Sequence, residues 1–361
     1  MLPHTPAQLH DAQMAYPCGI TFGNNPVLPQ LLGEFRGWPA AVMVFSTGEE
    51  TAGVFAALYT ARGWMSLPHF SYNAFWINTP LVTKALGVET GDEAMQVLRR
   101  RFCNSLPQGR PDKDIFLYQE LFPADTGEAE VPECLRLQSR GLYAPPGVAD
   151  FGKTITRISP LISEDGVRAT ETLPSAVRRK IYRAGRNGLS IRTGGEELLE
   201  DFYGVYRRNI HRLGSFGLPL RFFRILAKGY DFGLFRVLLA EYEGRCLGAA
   251  VLMSYGGYAE NPWFASSEEG NALYVTYLLH HAMMEIAAEA GCHTYSLGRS
   301  TAGGSVEQYK KQWRGETIPL YTVPAGSGIR PGTQILISRV LPLLPQKVAV
   351  LFDETVSNYY Y

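Results

Sequence analysis

The sequence lacks a charge imbalance: 34 Lys and Arg stand against 34 Asp and Glu, for a formal net charge of +0. No field of the whole molecule draws it to nucleic acid or acidic membranes, so any polyanion site must be local. It also lacks a CxxC pair. Its five cysteines, Cys18, Cys103, Cys134, Cys246 and Cys292, are odd in number and scattered. That pattern argues against a disulfide framework and against zinc, and it predicts reduced thiols in a cytoplasmic protein with no metal site.

The opening stretch MLPHTPAQLHDAQ has neither a basic n-region nor an apolar h-region, so no secretory signal is expected. Nor is there an uninterrupted apolar run of roughly 20 residues. The nearest candidate, ILISRVLPLLPQKVAVLF, is broken by Arg339, Pro342, Pro345 and Lys347. Residues 331–361 read as an amphipathic helical extension, which either closes a core or lies against the inner face of the membrane. Signatures of a nucleophile are missing too. There is no GxSxG, the one Cys beside a His is Cys292 next to His293, and His280 and His281 lie within a helical run where packing accounts for them. No covalent enzyme intermediate is expected.

What the chain does have is length and 46% hydrophobic residues, enough for two cores. AAVMVF and AGVFAALYT read as strands around the turn STGEET, WMSLPHFSYNAFW as a third extended segment, GDEAMQVLRRRF as a helix and DIFLYQEL as a strand. The second half reads as two helices (Leu173 to Arg186, with Pro174 early and Gly188 as a stop, then LLEDFYGVYRRNIHRLG), followed by a meander of FRVLLAEY, CLGAAVLMSY and YAENPWFA. Asn271 reads as the N-cap of a helix ALYVTYLLHHAMMEIAAEA ended by Gly291. HTYSLG (strand), GGSVEQYKKQW (short helix) and TIPLYTV (strand) complete the series. The fold class is therefore α/β of a mixed α+β kind, in which a mostly antiparallel sheet flanked by helices takes one strand back through a helical crossover. The element order occurs twice, which gives domains at 1–150 and 151–330 joined near GLYAPPGVADFGKT.

Three features carry chemistry. Gly298 to Ser305 follows a strand and precedes a helix like a phosphate loop, but Gly304 occupies the position where such a loop needs lysine, so nucleotide hydrolysis is excluded. An anion-binding turn and a plain connection both remain open. Downstream, Tyr309 and Trp313 share a helical face and pack inward or shape a pocket, while Lys310 and Arg299 are candidates to polarise a carbonyl or grip phosphate. Glu260, on the third meander strand, is a candidate general base for an attacking amine, against the plainer reading of a surface carboxylate. The third feature is Ser175 to Tyr230, with twelve basic residues, Arg178 and Lys180 among them, against four acidic ones. That asymmetry suggests tRNA, a nucleotide sugar or a lipid pyrophosphate as partner, against a solvated helical face.

Four stretches in order, LPSAVRRKIYRAGRNGLSI, the NALY helix opening at Asn271, the GRS turn Gly298 to Ser300, and YKKQWRGETIPLY, carry a resemblance. The second half resembles the FemAB-like family of the GNAT acyltransferase superfamily, and most of all the FemAB-like proteins found with exosortase and exopolysaccharide systems. The first half is similar only in element order. The resemblance implies tandem GNAT-like domains and an N-acyltransferase that moves an acyl or aminoacyl group to an amine on a cell-envelope or exopolysaccharide precursor. It implies that Tyr309 and Lys310 line the donor end, with Arg299 and Ser300 in the same cleft, and it draws in Asn271, Tyr274, Trp313, Arg178 and Lys180 as substrate-binding candidates. No tightly bound cofactor is implied; the donor substrate is an acyl-CoA or an aminoacyl-tRNA. Two departures stand out. Ser296 occupies the place of an acid common in the family, and SSEEGNALY replaces the Gly-rich CoA loop. They leave a non-catalytic binding protein of the same fold, recognising an anionic precursor or tRNA, as the rival reading.

Overall fold

In a computed structural model of the chain, the described residues are 4–61, 63–121, 139–141 and 154–323. The C-terminal extension at 331–361, most of the expected domain joint and Cys134 lie outside them. The chain forms two compact units that part at residues 152/153.

The first unit begins with α1 (Pro6–Ala15) and α2 (Leu28–Arg36) and continues through β1 (Ala40–Thr47), β2 (Glu50–Thr60), β3 (Gly63–Met65) and β4 (Ala74–Ile77). Then come α3 (Thr79–Leu86), α4 (Gly91–Ser105), β5 (Ile115–Glu120) and β6 (Ser139–Gly141). The sheet order is β3-β2-β1-β5, with β4 also on β2; β2 lies antiparallel to β1 and β5 parallel to it. The hairpin, α4 and β5 stand where the sequence puts them. Helix α4 starts at a capping box between Thr90 and Glu93 and buries Ala94, Leu98 and Phe102, one turn apart, against Phe55 and Phe75. The expected third extended segment is instead two short strands, because Leu67 and His69, on either side of Pro68, take positive φ and turn the chain. Three helices have no counterpart in the sequence reading. Of these, α1 buries only Leu9 and Gln13, which leaves no apolar stripe to detect.

The second unit comprises β7 (Thr154–Pro160), α5 (Ser175–Arg186), β8 (Ser190–Gly194), α6 (Leu199–Arg212), α7 (Leu220–Gly229), β9 (Leu234–Tyr242), β10 (Arg245–Tyr255) and β11 (Tyr258–Ser266). It continues with α8 (Glu268–Ala272), α9 (Val275–Glu289), β12 (Thr294–Thr301), α10 (Ser305–Lys310) and β13 (Glu316–Pro319). A further strand, β14 (Tyr321–Val323), pairs with β6 in a ribbon assigned to the first unit, so TIPLYTV is two strands broken at Leu320. The seven-stranded order is β13-β7-β12-β11-β10-β9-β8. All the pairings recorded in it are antiparallel except β11 with β12, which is reached through the α8–α9 crossover.

Trp263 meets Phe222 and Phe223 of α7, while Phe264, the next residue, stacks on His280 of α9. Successive strand residues point to opposite faces, so α6 and α7 cover one face and α5 and α9 the other. Strand β10 is consequently buried on both sides and reads as the unbroken apolar run AAVLM. Gly248 lets α9 approach closely, since a Cβ there would sit 2.2 Å from Val275 Cγ1. Two local readings need correction. Pro174 stands just before α5 as its cap, and Asn271 does not start the long helix. Ser267 caps the short α8 instead, and Tyr274, with φ +67°, re-aims the chain into α9.

Candidate functional site

The parallel pair β11/β12 is joined over only three positions, Tyr258↔Thr294, Ala259↔Tyr295 and Glu260↔Ser296. Beyond them the two strands part. On its other side β12 also slips register against β7 between Ser296 and Arg299, where Gly298 takes φ +75°. A side chain at 298 would adopt that backbone only with strain, and its Cβ would lie 3.1 Å from the Asn261 carbonyl. The GRS turn of the sequence is thus a bulge inside a strand, and the opening between strands begins beside it.

A buried polar network fills this point. Glu260 is 0% exposed and accepts the Ser296 hydroxyl proton at 2.7 Å. With its one proton committed, Ser296 Oγ accepts from the Gly298 N–H at 3.1 Å. Thr156 Oγ1 has one proton for two acceptors, Ser296 Oγ at 2.9 Å and the Gly298 carbonyl at 3.2 Å. The Asn261 amide, with its nitrogen turned inward, donates to the carbonyls of Ser296 at 3.2 Å and Leu297 at 3.3 Å. Lys310, at the end of α10 and only 7% exposed, donates to the carbonyls of Gly298 at 2.9 Å and Arg299 at 2.8 Å. Burial lowers its pKa to about 8; the Glu260 carboxylate works against that drop and the Arg299 guanidinium adds to it.

His280 projects from α9 into the same region with Nδ1 2.9 Å from the Tyr295 hydroxyl. Burial, and then the Lys310 charge, pushes it down to about 3, so it stays neutral through the physiological range. Burial also raises the Tyr295 and Tyr309 phenols. Tyr309 donates to the Thr276 carbonyl at 3.1 Å and meets the Tyr277 ring edge-on, and Trp313 is 2% exposed and stacks on Tyr277. Lys180 of α5 joins this cluster from the other side, donating to Tyr277 at 2.8 Å and Gln312 at 2.7 Å.

The structure therefore brings together Glu260, Lys310 and the backbone of Arg299, with Tyr309, Trp313 and Lys180 packed beside them through Tyr277. Ser300 is half-buried at the end of β12. Asn271 is exposed and accepts from Ser266 at 2.8 Å, and Tyr274 is half-buried in the α8–α9 link. Arg178 is exposed on the outer side of α5. Thr156 and Asn261 have no counterpart in the sequence reading: β7 was not anticipated, and Asn261 is informative only once β11 and β12 are seen to part. Among the described residues no cluster of His, Cys, Asp and Glu could hold a metal ion, and no helix is long and apolar enough to cross a membrane.

Comparison with known proteins adds three findings. Residues 175–311 match the model of the acetyltransferase (GNAT) domain. The chain is 27% identical over 137 residues to UDP-N-acetylmuramoylpentapeptide-lysine N(6)-alanyltransferase of Weissella viridescens, a match covering 37% of this chain and 40% of that relative's length. Over 93% of this chain and 98% of the other, the fold is similar to the crystal structure of FemX, at TM-score 0.58 and 14% identity.

Proposed function

We propose that this chain, whose residues 175–311 match the acetyltransferase (GNAT) domain model, is an N-acyltransferase of the FemAB-like kind, moving an acyl or aminoacyl group onto an amine of a cell-envelope precursor. The observation that carries this reading is the Lys310 ammonium, buried where β11 and β12 part. An ammonium has three donors, and two are held by the Gly298 and Arg299 carbonyls. The third is left for an oxygen entering the opening.

In this reading the acyl carbonyl sits against that third N–H. The neutral amine attacks the carbonyl carbon, and the oxygen that becomes negative in the tetrahedral species gains the full charge of Lys310 in a dry site. The C–N bond forms and the C–O or C–S bond to the donor breaks. The proton shed by the nitrogen leaves with the departing oxygen or sulfur. Glu260, fully buried and already taking the Ser296 proton, acts as the counter-charge that keeps Lys310 protonated; the amine loses its proton elsewhere. Tyr309, Trp313 and Tyr277 shape the wall behind α10.

For the donor, an aminoacyl ester of tRNA is favoured over a CoA thioester. The first turn of α8, at the start of the crossover between the two parted strands, carries Glu268 and Glu269, which already engage Arg212 and Arg245, where a pyrophosphate would need free donors. The acceptor is an amine-bearing muropeptide or polysaccharide precursor. The test is a single-turnover assay of the purified chain with alanyl-tRNA or acetyl-CoA and a UDP-linked muramoyl pentapeptide, read as the mass gain of the acceptor. Transfer from alanyl-tRNA is expected. Transfer from acetyl-CoA alone would overturn the donor, and a folded protein inert with both donors and a panel of amine acceptors would favour an anion-binding protein of the same fold.

A further inference from the structure

The basic run noted in the sequence divides between the two faces of the second unit, and the two parts differ. On the side of α6, α7 and β8 four of the seven cations meet carboxylates: Arg192 pairs with Asp201 and Glu241, Arg212 with Glu268, Arg224 with Glu200 and Lys228 with Glu196. On α5, across the sheet, Arg178, Arg179, Arg183 and Arg186 are all exposed, and among the described residues none has an acidic partner. No Asp or Glu occurs between Glu171 and Glu196, so the α5 segment itself supplies none. In the middle of the arginines Tyr182 is 68% exposed, with the Arg186 guanidinium 6.0 Å from its ring centre.

Helical spacing makes this a single face. Arg178, Tyr182 and Arg186 follow at intervals of four, as do Arg179 and Arg183 beside them, while Val177 and Ala184 are buried under α9. Twelve residues give a straight, convex ridge about 18 Å long. Four uncompensated cations on so short a ridge repel one another, and nothing in the packing of α5 requires them. They lower the free energy only when an array of anions lies opposite.

We infer that the outer face of α5 docks onto an anionic phospholipid surface. A convex ridge of cationic heads fits a plane of phosphates, and a phenol among them suits the headgroup layer, where Tyr is enriched. Single-stranded nucleic acid is held differently, in grooves with successive aromatic platforms, and this face has one exposed ring; a structured RNA such as the proposed donor is the competing polyanion that the RNA arm of the experiment addresses. The buried side of the same helix sends Lys180 to Tyr277 and Gln312, so the arginine ridge and the proposed transfer site share one rigid element. The docking itself does not depend on the transferase reading, because it is read without turnover.

The experiment is co-sedimentation of the full chain with vesicles of pure phosphatidylcholine and of phosphatidylcholine containing 30% phosphatidylglycerol. At about 1 kcal/mol per arginine near such a surface, each is worth about fivefold in partitioning. Anionic vesicles should therefore bind the wild type up to several hundredfold better, and the preference should fade with salt. Replacing Arg178, Arg179, Arg183 and Arg186 together by Gln should abolish it, while Arg224→Gln, on the paired face, should leave it intact. Unchanged circular dichroism separates loss of binding from loss of fold, and single replacements, each costing about fivefold, stand in if the quadruple variant misfolds. A wild type that ignores anionic vesicles, or a folded quadruple variant that still binds them, overturns the inference. Retention on RNA of matched charge without vesicle binding would assign the ridge to nucleic acid and overturn it equally.

Discussion

Among the described pairings each unit has one parallel strand pair, at the edge of the sheet in the first unit and inside it in the second, and the two pairs end differently. In the first unit β1 and β5 are joined over six positions, from Ala41↔Ile115 to Ser46↔Glu120. In the second, β11 and β12 part after three. The residues explain the difference. Strand β1 supplies Met43, Val44 and Phe45 at the join, all buried in an apolar core that offers no reason for the strands to separate. At the corresponding place β11 and β12 supply Glu260, Asn261 and Ser296, whose side chains take over hydrogen bonds that the ladder gives up. A buried carboxylate and a buried ammonium are costly unless satisfied, so a network this complete is kept at a position where something other than packing is served. One unit holds itself together with its parallel pair, and the other uses it to make an opening.

The contrast breaks first at Lys310. Lys310→Met keeps the stem and removes the charge, so transfer should fall by about 10²–10³-fold, the usual effect of losing one oxyanion donor. The variant also leaves the buried Glu260 carboxylate without its counter-charge, so stability should fall too, and unchanged circular dichroism separates loss of transfer from loss of fold. Transfer within threefold of wild type would take Lys310 out of the chemistry.

Glu260→Gln tests the counter-charge. With Lys310 titrating at about 8, transfer to a neutral acceptor amine should decline as pH rises through that value, since the protonated lysine is the active form. Glu260 opposes the burial that lowers the lysine pKa, so its neutral isostere moves the decline to lower pH. At pH 8 that amounts to a loss of about fivefold for the first unit of displacement and about tenfold for each further one. A base in Glu260 would instead produce an acid limb that the variant abolishes, and a pH–rate profile distinguishes the two outcomes.

Gly298→Ala addresses the bulge. Its φ of +75° costs an ordinary residue about 1–2 kcal/mol, and the new Cβ would press on the Asn261 carbonyl. The thermal midpoint should drop accordingly, with transfer reduced as the Lys310 acceptor carbonyl shifts. An alanine variant as stable and active as wild type would show that the bulge is not needed to hold the opening.

How much of this the sequence disclosed depends on what each residue type signals alone. The meander, α6 and the β1–β2 hairpin were legible because period 3.6 or a two-sided apolar run is written along a continuous stretch. Helix α1 and strand β8, with its exposed Ser190, Arg192 and Thr193, bury too little to leave such a trace. Lys310 and Glu260 could be named from the sequence as residues able to do chemistry. Their joining through Ser296 could not, because it rests on the register of three strands, one of which, β7, begins more than a hundred residues before β12. Ser296 shows this most clearly. In the sequence it is a missing acid, and in the structure it is the hydroxyl through which the neighbouring strand's acid is tied to the bulge.

The smallest effect belongs to the closed pair. Ser46, at the end of β1, lies 2.7 Å by its Oγ from the Tyr118 hydroxyl of β5, a polar contact at the same end of a parallel pair as Ser296 but with no buried charge behind it. Ser46 is 3% exposed and Tyr118 36%, so water can replace one partner. Ser46→Ala should therefore cost only about 0.5–1.5 kcal/mol in chemical denaturation and leave transfer unchanged. If transfer fell tenfold while stability held, the first unit would be taking part in the chemistry, and the division between a pair that closes and a pair that opens would no longer describe what the two units do.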